Sequence, residues 1–321
     1  MENTASDLQR IQNTWNRLIP GGIPGRTRFW DSDHILRHIN KNVCGTPVNG
    51  FSNGLIMKAR QLPGVRWPLQ RGIAIACGSA HKEISLLERG LIERFDVFEI
   101  SDACIRMGKE LARKAGVADR IDFVRCDAFS PIKEKETYDF VHWNNSLHHM
   151  TDTEAAVRWS AGVCKTGGVF FMDDYVGPTR FQWSPMMLAV ATLVRQALPR
   201  KYLYNPDNAG KISLEQALAS SDPAAFFGTS FVKPSIETML RSDPSEAADS
   251  QNILPSVKKY FPAAQIKITG GVVYHLTLND IIVNFDETAD AHLLDLLLLL
   301  DDMCAAMGET HYAAVLAVKQ A

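Results

Sequence analysis

Arg71-Gly-Ile-Ala-Ile-Ala76 runs straight into Cys77-Gly-Ser-Ala-His-Lys-Glu83. The first stretch is short and apolar, as a buried strand is; the second is a small-residue turn that opens helical text from about Ala80 to Arg89, closed by Gly90. Outward from this unit the pattern repeats. Phe95–Ile100 reads as a second strand, and Ser101-Asp102 can cap a helix over Ala103–Ala115 that ends at Gly116. Ile121–Arg125 reads as a third strand and Tyr138–Trp143 as a fourth. Thr151 or Asp152 starts a helix reaching about Cys164, and Gly167-Gly168 turns into a fifth strand, Val169–Asp174. Short strands alternating with helices imply parallel pairing and right-handed crossovers, hence a doubly wound α/β sheet.

The flanks differ. Residues 1–68 read as a helical segment and possible lid, 69–176 as the α/β core, 177–260 as a helical insert, and 261–321 as strands and a helix that complete the sheet. Leu293–Leu300 is the longest apolar run, interrupted by Asp295, and reads as a buried helix. It is far short of the roughly 20 residues that cross a bilayer. The N-terminus shows no apolar signal region, and the six cysteines form no C-x-x-C pair. A cytoplasmic protein with reduced thiols, no membrane insertion and no metal site is therefore expected. A formal charge of -2 over 321 residues argues against a nucleic-acid partner. Monomer and homodimer both remain open.

In a doubly wound sheet, ligands bind beyond the carboxyl ends of the strands. After strand one, Cys77, Gly78, Ser79 and Ala80 let backbone approach a ligand at a helix N-terminus. After strand two, Glu99, followed by Ile100, can accept from both ribose hydroxyls of a nucleoside. After strand three, Asp127 can accept from an adenine amino group, with Ala128 beside it. Asn144 and the pair His148-His149 follow strand four; Asp173, Asp174 and Tyr175 follow strand five.

This order, together with Tyr138-Asp-Phe-Val141 and Lys165-Thr-Gly-Gly-Val-Phe-Phe-Met172, resembles the class I S-adenosylmethionine-dependent methyltransferases, over residues 70 to 175. Asp174–Trp183 and Asp243-Pro-Ser-Glu-Ala247 extend the resemblance toward a bacterial subgroup associated with glycans and secondary metabolites. The resemblance implies S-adenosylmethionine as cofactor and S-adenosylhomocysteine as product. It implies a seven-stranded sheet whose last strand, Tyr312–Val318, is antiparallel, with Gln265–Ile268 as partner. Gly78 and its neighbours would pass the amino-acid tail, Glu99 would hold the ribose, Asp127 and Ala128 would border the adenine, and Asn144 would edge the cofactor. The family's first turn usually carries three glycines; here Ala76 and Ala80 replace two of them. If either position needs a positive φ, alanine costs on the order of 1 kcal/mol.

Methyl transfer to a high-pKa oxygen needs a base, and His148 and His149 are the first candidates, with Tyr175 as a further contact. Trp30, Arg180, Gln182, Trp183 and Glu246 are candidates for the acceptor side. The expected activity is transfer of a methyl group to a small-molecule acceptor, foremost a hydroxyl of a sugar, glycan precursor or natural product. Two alternatives stand beside it. One is a relative that binds the cofactor without methylating. The other is a nicotinamide-dependent oxidoreductase, which lacks its G-x-G-x-x-G turn here.

Overall fold

The computed structural model describes residues 5–18, 28–126, 135–204, 213–220 and 227–320. Seven strands form one sheet: β1 (Leu69–Ile75), β2 (Ile92–Glu99), β3 (Ile121–Arg125), β4 (Tyr138–Asn144), β5 (Cys164–Tyr175), β6 (Gln265–Gly270) and β7 (Tyr312–Val318), in the order β3-β2-β1-β4-β5-β7-β6. The first five are parallel, and β7 is antiparallel to both neighbours, as expected. Strand order reverses between β1 and β4, so the switch point lies where their carboxyl ends diverge.

The period-two alternation of the strands builds a core on each face. Ala74, Phe95, Phe140, Phe171 and Leu316 pack on one side with Ile84 and Leu87. Ile73, Val141, Trp143, Phe170 and Val315 pack on the other with Val157 and Phe261. In chain order the helices of interest are α1 (Ala5–Leu18), α2 (Asp33–Cys44), α3 (Asn53–Arg60), α4 (His81–Glu88), α5 (Asp102–Lys114) and α6 (Thr153–Val163). Ser101 caps α5 through Cys104 N at 3.2 Å, and Asp152, not Thr151, caps α6 through Ala155 N at 2.8 Å. Strand β5 begins earlier than the sequence suggests, because Tyr138 pairs with Cys164 and Phe140 with Val169, with the intervening Gly-Gly accommodated in a bulge.

The leucine run requires a correction. It lies in a helix, Ala291–Ala306, of which Leu294, Leu297 and Leu298 face the core. Leu296 and Leu299 are 63% and 56% exposed, with Met303 and Met307 continuing that stripe. Eight nearly uninterrupted apolar letters carry no periodicity from which a buried face can be chosen. No described helix is long and apolar enough to cross a membrane.

Asp301, on the inner face of this helix, is fully buried and accepts from Gly271 N (2.8 Å) and Val273 N (2.5 Å). Burial pushes its carboxyl up to about 7. An acid with a raised folded pKa loses stability as pH rises from its unfolded value, near 4, through that pKa. The chain is therefore expected to lose up to about 3–4 kcal/mol from this group between pH 4 and 8, at 1.36 kcal/mol per pKa unit. Urea melts of wild type and Asp301→Asn at pH 5 and pH 8 check this: the variant's stability should be the flatter of the two.

Candidate active site

The turn after β1 alternates left-handed residues: Ala76 (φ 51°), Gly78 (φ 58°) and Ala80 (φ 54°). All three positions where the resembling family carries glycine thus need a positive φ, and this chain meets the need with two alanines at a cost of roughly 1–2 kcal/mol each. A Cβ added at Gly78 would meet nothing within 4 Å, so open space lies above the turn. Ala76→Gly is expected to raise stability by about 0.5–1 kcal/mol, because the strain is relieved with little packing lost. Ala80→Gly is expected to be near neutral, since its methyl is fully buried in the core and burial of such a group contributes about 0.8 kcal/mol. Urea midpoints at constant slope measure both.

Glu99 closes this turn from β2. Its Oε1 accepts from Ile100 N (2.8 Å) and Ser101 N (2.9 Å), and its Oε2 accepts from Gly78 N at 2.9 Å. Burial raises its carboxyl above the usual range, against the pull of these N–H groups. Three of roughly four lone-pair sites are used. One remains for a ribose hydroxyl, and a second hydroxyl bond, which the sequence reading assigned to Glu99, requires displacing Gly78 N–H. Cys77 beside the turn is held as a neutral thiol by burial. Asp127 and Ala128 lie outside the described residues.

Helix α1 lies across the end of β2. Gln12 Nε2 donates to Ile100 O at 3.0 Å, and Asn16 Oδ1 accepts from Ser101 Oγ (2.8 Å) and Ala103 N (3.2 Å). Farther along, Thr14 Oγ1 donates to Ser242 O at 3.1 Å, and Arg10 donates to Leu240 O.

At the end of β4, Asn144 is buried. Its carbonyl accepts from Lys82 Nζ (2.9 Å), its Nδ2 donates to Ser52 Oγ (3.2 Å), and its Oδ1 is buried without a partner. Ser52 in turn donates to Asp173 Oδ2 at 2.6 Å. The neighbouring Asp174 gathers four donors: Ser146 N, Leu147 N and Tyr175 N at 2.8–2.9 Å, and His148 Nδ1 at 2.5 Å. Despite the cost of burial, His148 and these N–H groups hold the Asp174 carboxyl below the usual carboxylate range. Burial opposes charge on His148 as well, but Asp174 wins and raises it above the usual imidazole value. His148 Nε2 points on toward Glu246 Oε1, 3.6 Å away. Beside it, His149 Nδ1 sits 3.0 Å from Ser245 Oγ, under the edge of Trp15. Burial and the neighbouring His148 lower the His149 pKa.

Residues 73–172 match the family described as a methyltransferase domain. Over these residues the chain is similar to a methyltransferase domain. The ubiquinone/menaquinone biosynthesis C-methyltransferase of Cronobacter sakazakii is 26% identical over 102 residues, 32% of this chain and 39% of that protein. The 27-O-demethylrifamycin SV methyltransferase of Amycolatopsis mediterranei is 29% identical over 112 residues, 34% of this chain and 41% of that protein. The chain thus matches about two fifths of the length of these relatives. Among solved structures, the geranyl diphosphate C-methyltransferase of Streptomyces coelicolor, with Mg2+, geranyl diphosphate and S-adenosylhomocysteine, superposes with TM-score 0.50 at 13% identity, over 98% of this chain and 99% of that one. That likeness speaks for the fold alone.

Farther from the β1 turn, several candidate residues are engaged in holding loops. Tyr175 donates its hydroxyl to Pro178 O at 3.2 Å, and burial pushes its pKa far up, so it remains a phenol. Arg180 (φ 54°) donates from Nη1 to Glu246 O and from its backbone N to Ala247 O, pinning the turn that carries Glu246. Glu246 lies in this turn and does not begin a helix. Gln182 Nε2 donates to Arg180 O and Pro234 O. Trp183 stacks on Phe181 and on His311. Trp30 is 39% exposed and packs against Phe29 and Phe51. Lys82, Ser52 and Trp15 join the site from α4, from the turn before α3 and from α1; of these only Lys82, inside the quoted turn, had a signal in the sequence.

Proposed function

We propose that the protein is an S-adenosylmethionine-dependent methyltransferase acting on a small-molecule acceptor, and that the acceptor atom is a hydroxyl oxygen. The observation that carries the reading is the His148–Asp174 pair at the ends of β4 and β5, beside the open turn of β1. Relatives named as C- and O-methyltransferases of small molecules support the coarser part. The pair supports the finer part, because an alcohol needs its proton removed as it attacks.

The residues present fit the cofactor. Space above Gly78 admits a ligand against the backbone, Glu99 has an acceptor site left, and Asn144 Oδ1 is a buried acceptor in need of a donor. Gly78 and its neighbours would take the amino-acid end and Glu99 the ribose, with α1 closing over that end. When bound, S-adenosylmethionine supplies an electrophilic methyl on sulfur. This chain's residues align and exclude water, and alignment alone contributes up to roughly 7–11 kcal/mol in favourable cases. Asp174 accepts His148 Nδ1–H, which fixes the ring and leaves the Nε2 lone pair free to take the acceptor's proton.

Calorimetric titration with S-adenosylmethionine and S-adenosylhomocysteine, followed by a radiolabelled methyl-transfer screen over phenols, sugars and polyketide alcohols, tests the reading. Micromolar binding and a labelled ether product are expected. Absence of cofactor binding by folded protein would overturn it.

A further inference from the structure

We infer that His148, His149 and Glu246 form a binding site for a divalent transition-metal ion such as Zn2+, with a coordination position left for a small ligand. One ligand atom from each lies within 4.8 Å of the other two. His148 Nε2 and Glu246 Oε1 are 3.6 Å apart. Two donors at about 2.0–2.1 Å from a tetrahedral ion sit at nearly that separation.

The hydrogen bonds around the cluster fix which nitrogen of each ring carries the proton in the neutral form. Asp174 holds four donors and so is an acceptor only, and His148 must give it the Nδ1 proton. The case of His149 is decided one bond further out. Ser245 Oγ donates its single proton to Asp243 Oδ1 at 2.6 Å, and Ser245 N donates to the same oxygen at 2.8 Å. The hydroxyl can then only accept from His149 Nδ1, 3.0 Å away. Both neutral imidazoles therefore carry their proton on Nδ1 and a lone pair on Nε2. The Glu246 carboxylate makes no hydrogen bond among the described residues. A lone pair on His148 Nε2, a carboxylate oxygen 3.6 Å from it and a third ligand atom on His149 within 4.8 Å of both suit a cation between them. Metal-ligating histidines show this arrangement, the second nitrogen donating to a carboxylate or another oxygen.

The backbone holds the three ligands in place. Ala248 N donates to His148 O at 3.0 Å, and Arg180 holds the carbonyls of Glu246 and Ala247. Two imidazoles and one carboxylate suit zinc, cobalt or iron(II), whereas calcium and magnesium favour all-oxygen sets. No spacing in the sequence announces the site, because Glu246 arrives from a distant turn.

The site's part in catalysis rests on the reading above, that this edge meets the acceptor. With an ion bound, the His148 lone pair would be committed to it and not to the base role; the ion would instead lower the pKa of an acceptor hydroxyl on its open position, whose proton would pass to water.

The test uses the full chain, stripped with a chelator and titrated with Co2+ alone, read by visible d–d absorption and displaced by Zn2+. One cobalt per chain at micromolar concentration is expected, weakened about a hundredfold in His149→Ala and in Glu246→Gln. The second variant keeps the test open should the first fail to fold. S-adenosylmethionine calorimetry on the same samples separates the two readings. Cofactor binding without a cobalt spectrum at millimolar Co2+, or cobalt binding undiminished in both variants, removes the metal site and leaves the methyltransferase reading standing. Cobalt bound at this site without cofactor binding removes the methyltransferase reading and leaves the site.

Discussion

Glu99→Ala is expected to weaken S-adenosylmethionine binding by at least about a hundredfold, equivalent to roughly 2.8 kcal/mol. A hydrogen bond to a charged group contributes about 1.5–3 kcal/mol, and the variant would lose the proposed ribose contact together with the clasp on Gly78 N–H. The turn proposed to meet the amino-acid end would loosen at the same time. Glu99→Gln separates these parts. It keeps one oxygen for Ile100 N and Ser101 N but presents an amide to Gly78 N, so about a tenfold loss is expected on the scale of 1.4 kcal/mol per decade. Calorimetry with a thermal melt of each variant is the measurement. Cofactor affinity unchanged in Glu99→Ala would show that the turn meets no nucleoside.

Asp174→Asn should be the more damaging change for the protein itself. Three backbone N–H groups and His148 Nδ1 converge on this carboxylate, and an asparagine has one oxygen for them. Breaking a buried pair from one side costs about 3–5 kcal/mol. Turnover should fall at least about a hundredfold, the usual worth of a positioned base. Cofactor affinity should hold within a few-fold, since Glu99 and the β1 turn are untouched.

The pH dependence of the loss has a definite sign. The Asp174 pKa is depressed, so its contribution is present above the ordinary carboxylate range and is lost on acidification. That of His148 is raised, so its contribution is present below the ordinary imidazole value and is lost as pH rises through the folded one. The stability gap between wild type and variant should therefore be widest between about pH 4 and 6.5 and narrow on both sides. A gap independent of pH would remove the ion pair from the account.

Much of the site was legible because parallel topology is. Once strands and helices alternate, Gly78, Glu99, Asn144, His148 and Asp174 must share one edge, whatever lies between them. The antiparallel Tyr312–Val318 was legible through the resemblance. What could not be read came from tertiary contact without local period. Ser52 reaches Asp173 across the fold, Trp15 caps His149 from the first helix, and Ser245 with Asp243 settles a tautomer from a distant turn. The missing glycines pose the question of a positive φ at Ala76 and Ala80, and the turn itself answers it. The leucine-rich helix failed for the opposite reason, since its letters were too uniform to choose a face.

Three of the bonds that carry α1 end on main-chain carbonyls, those of Ile100, Leu240 and Ser242. Every amino acid supplies that group. Evolution can therefore exchange the side chains at those three positions and keep the cover seated. The cover can drift in its own outward residues while Gln12, Thr14 and Arg10 remain. Such a joint keeps the helix seated on the end of β2 while the sequence beneath it changes.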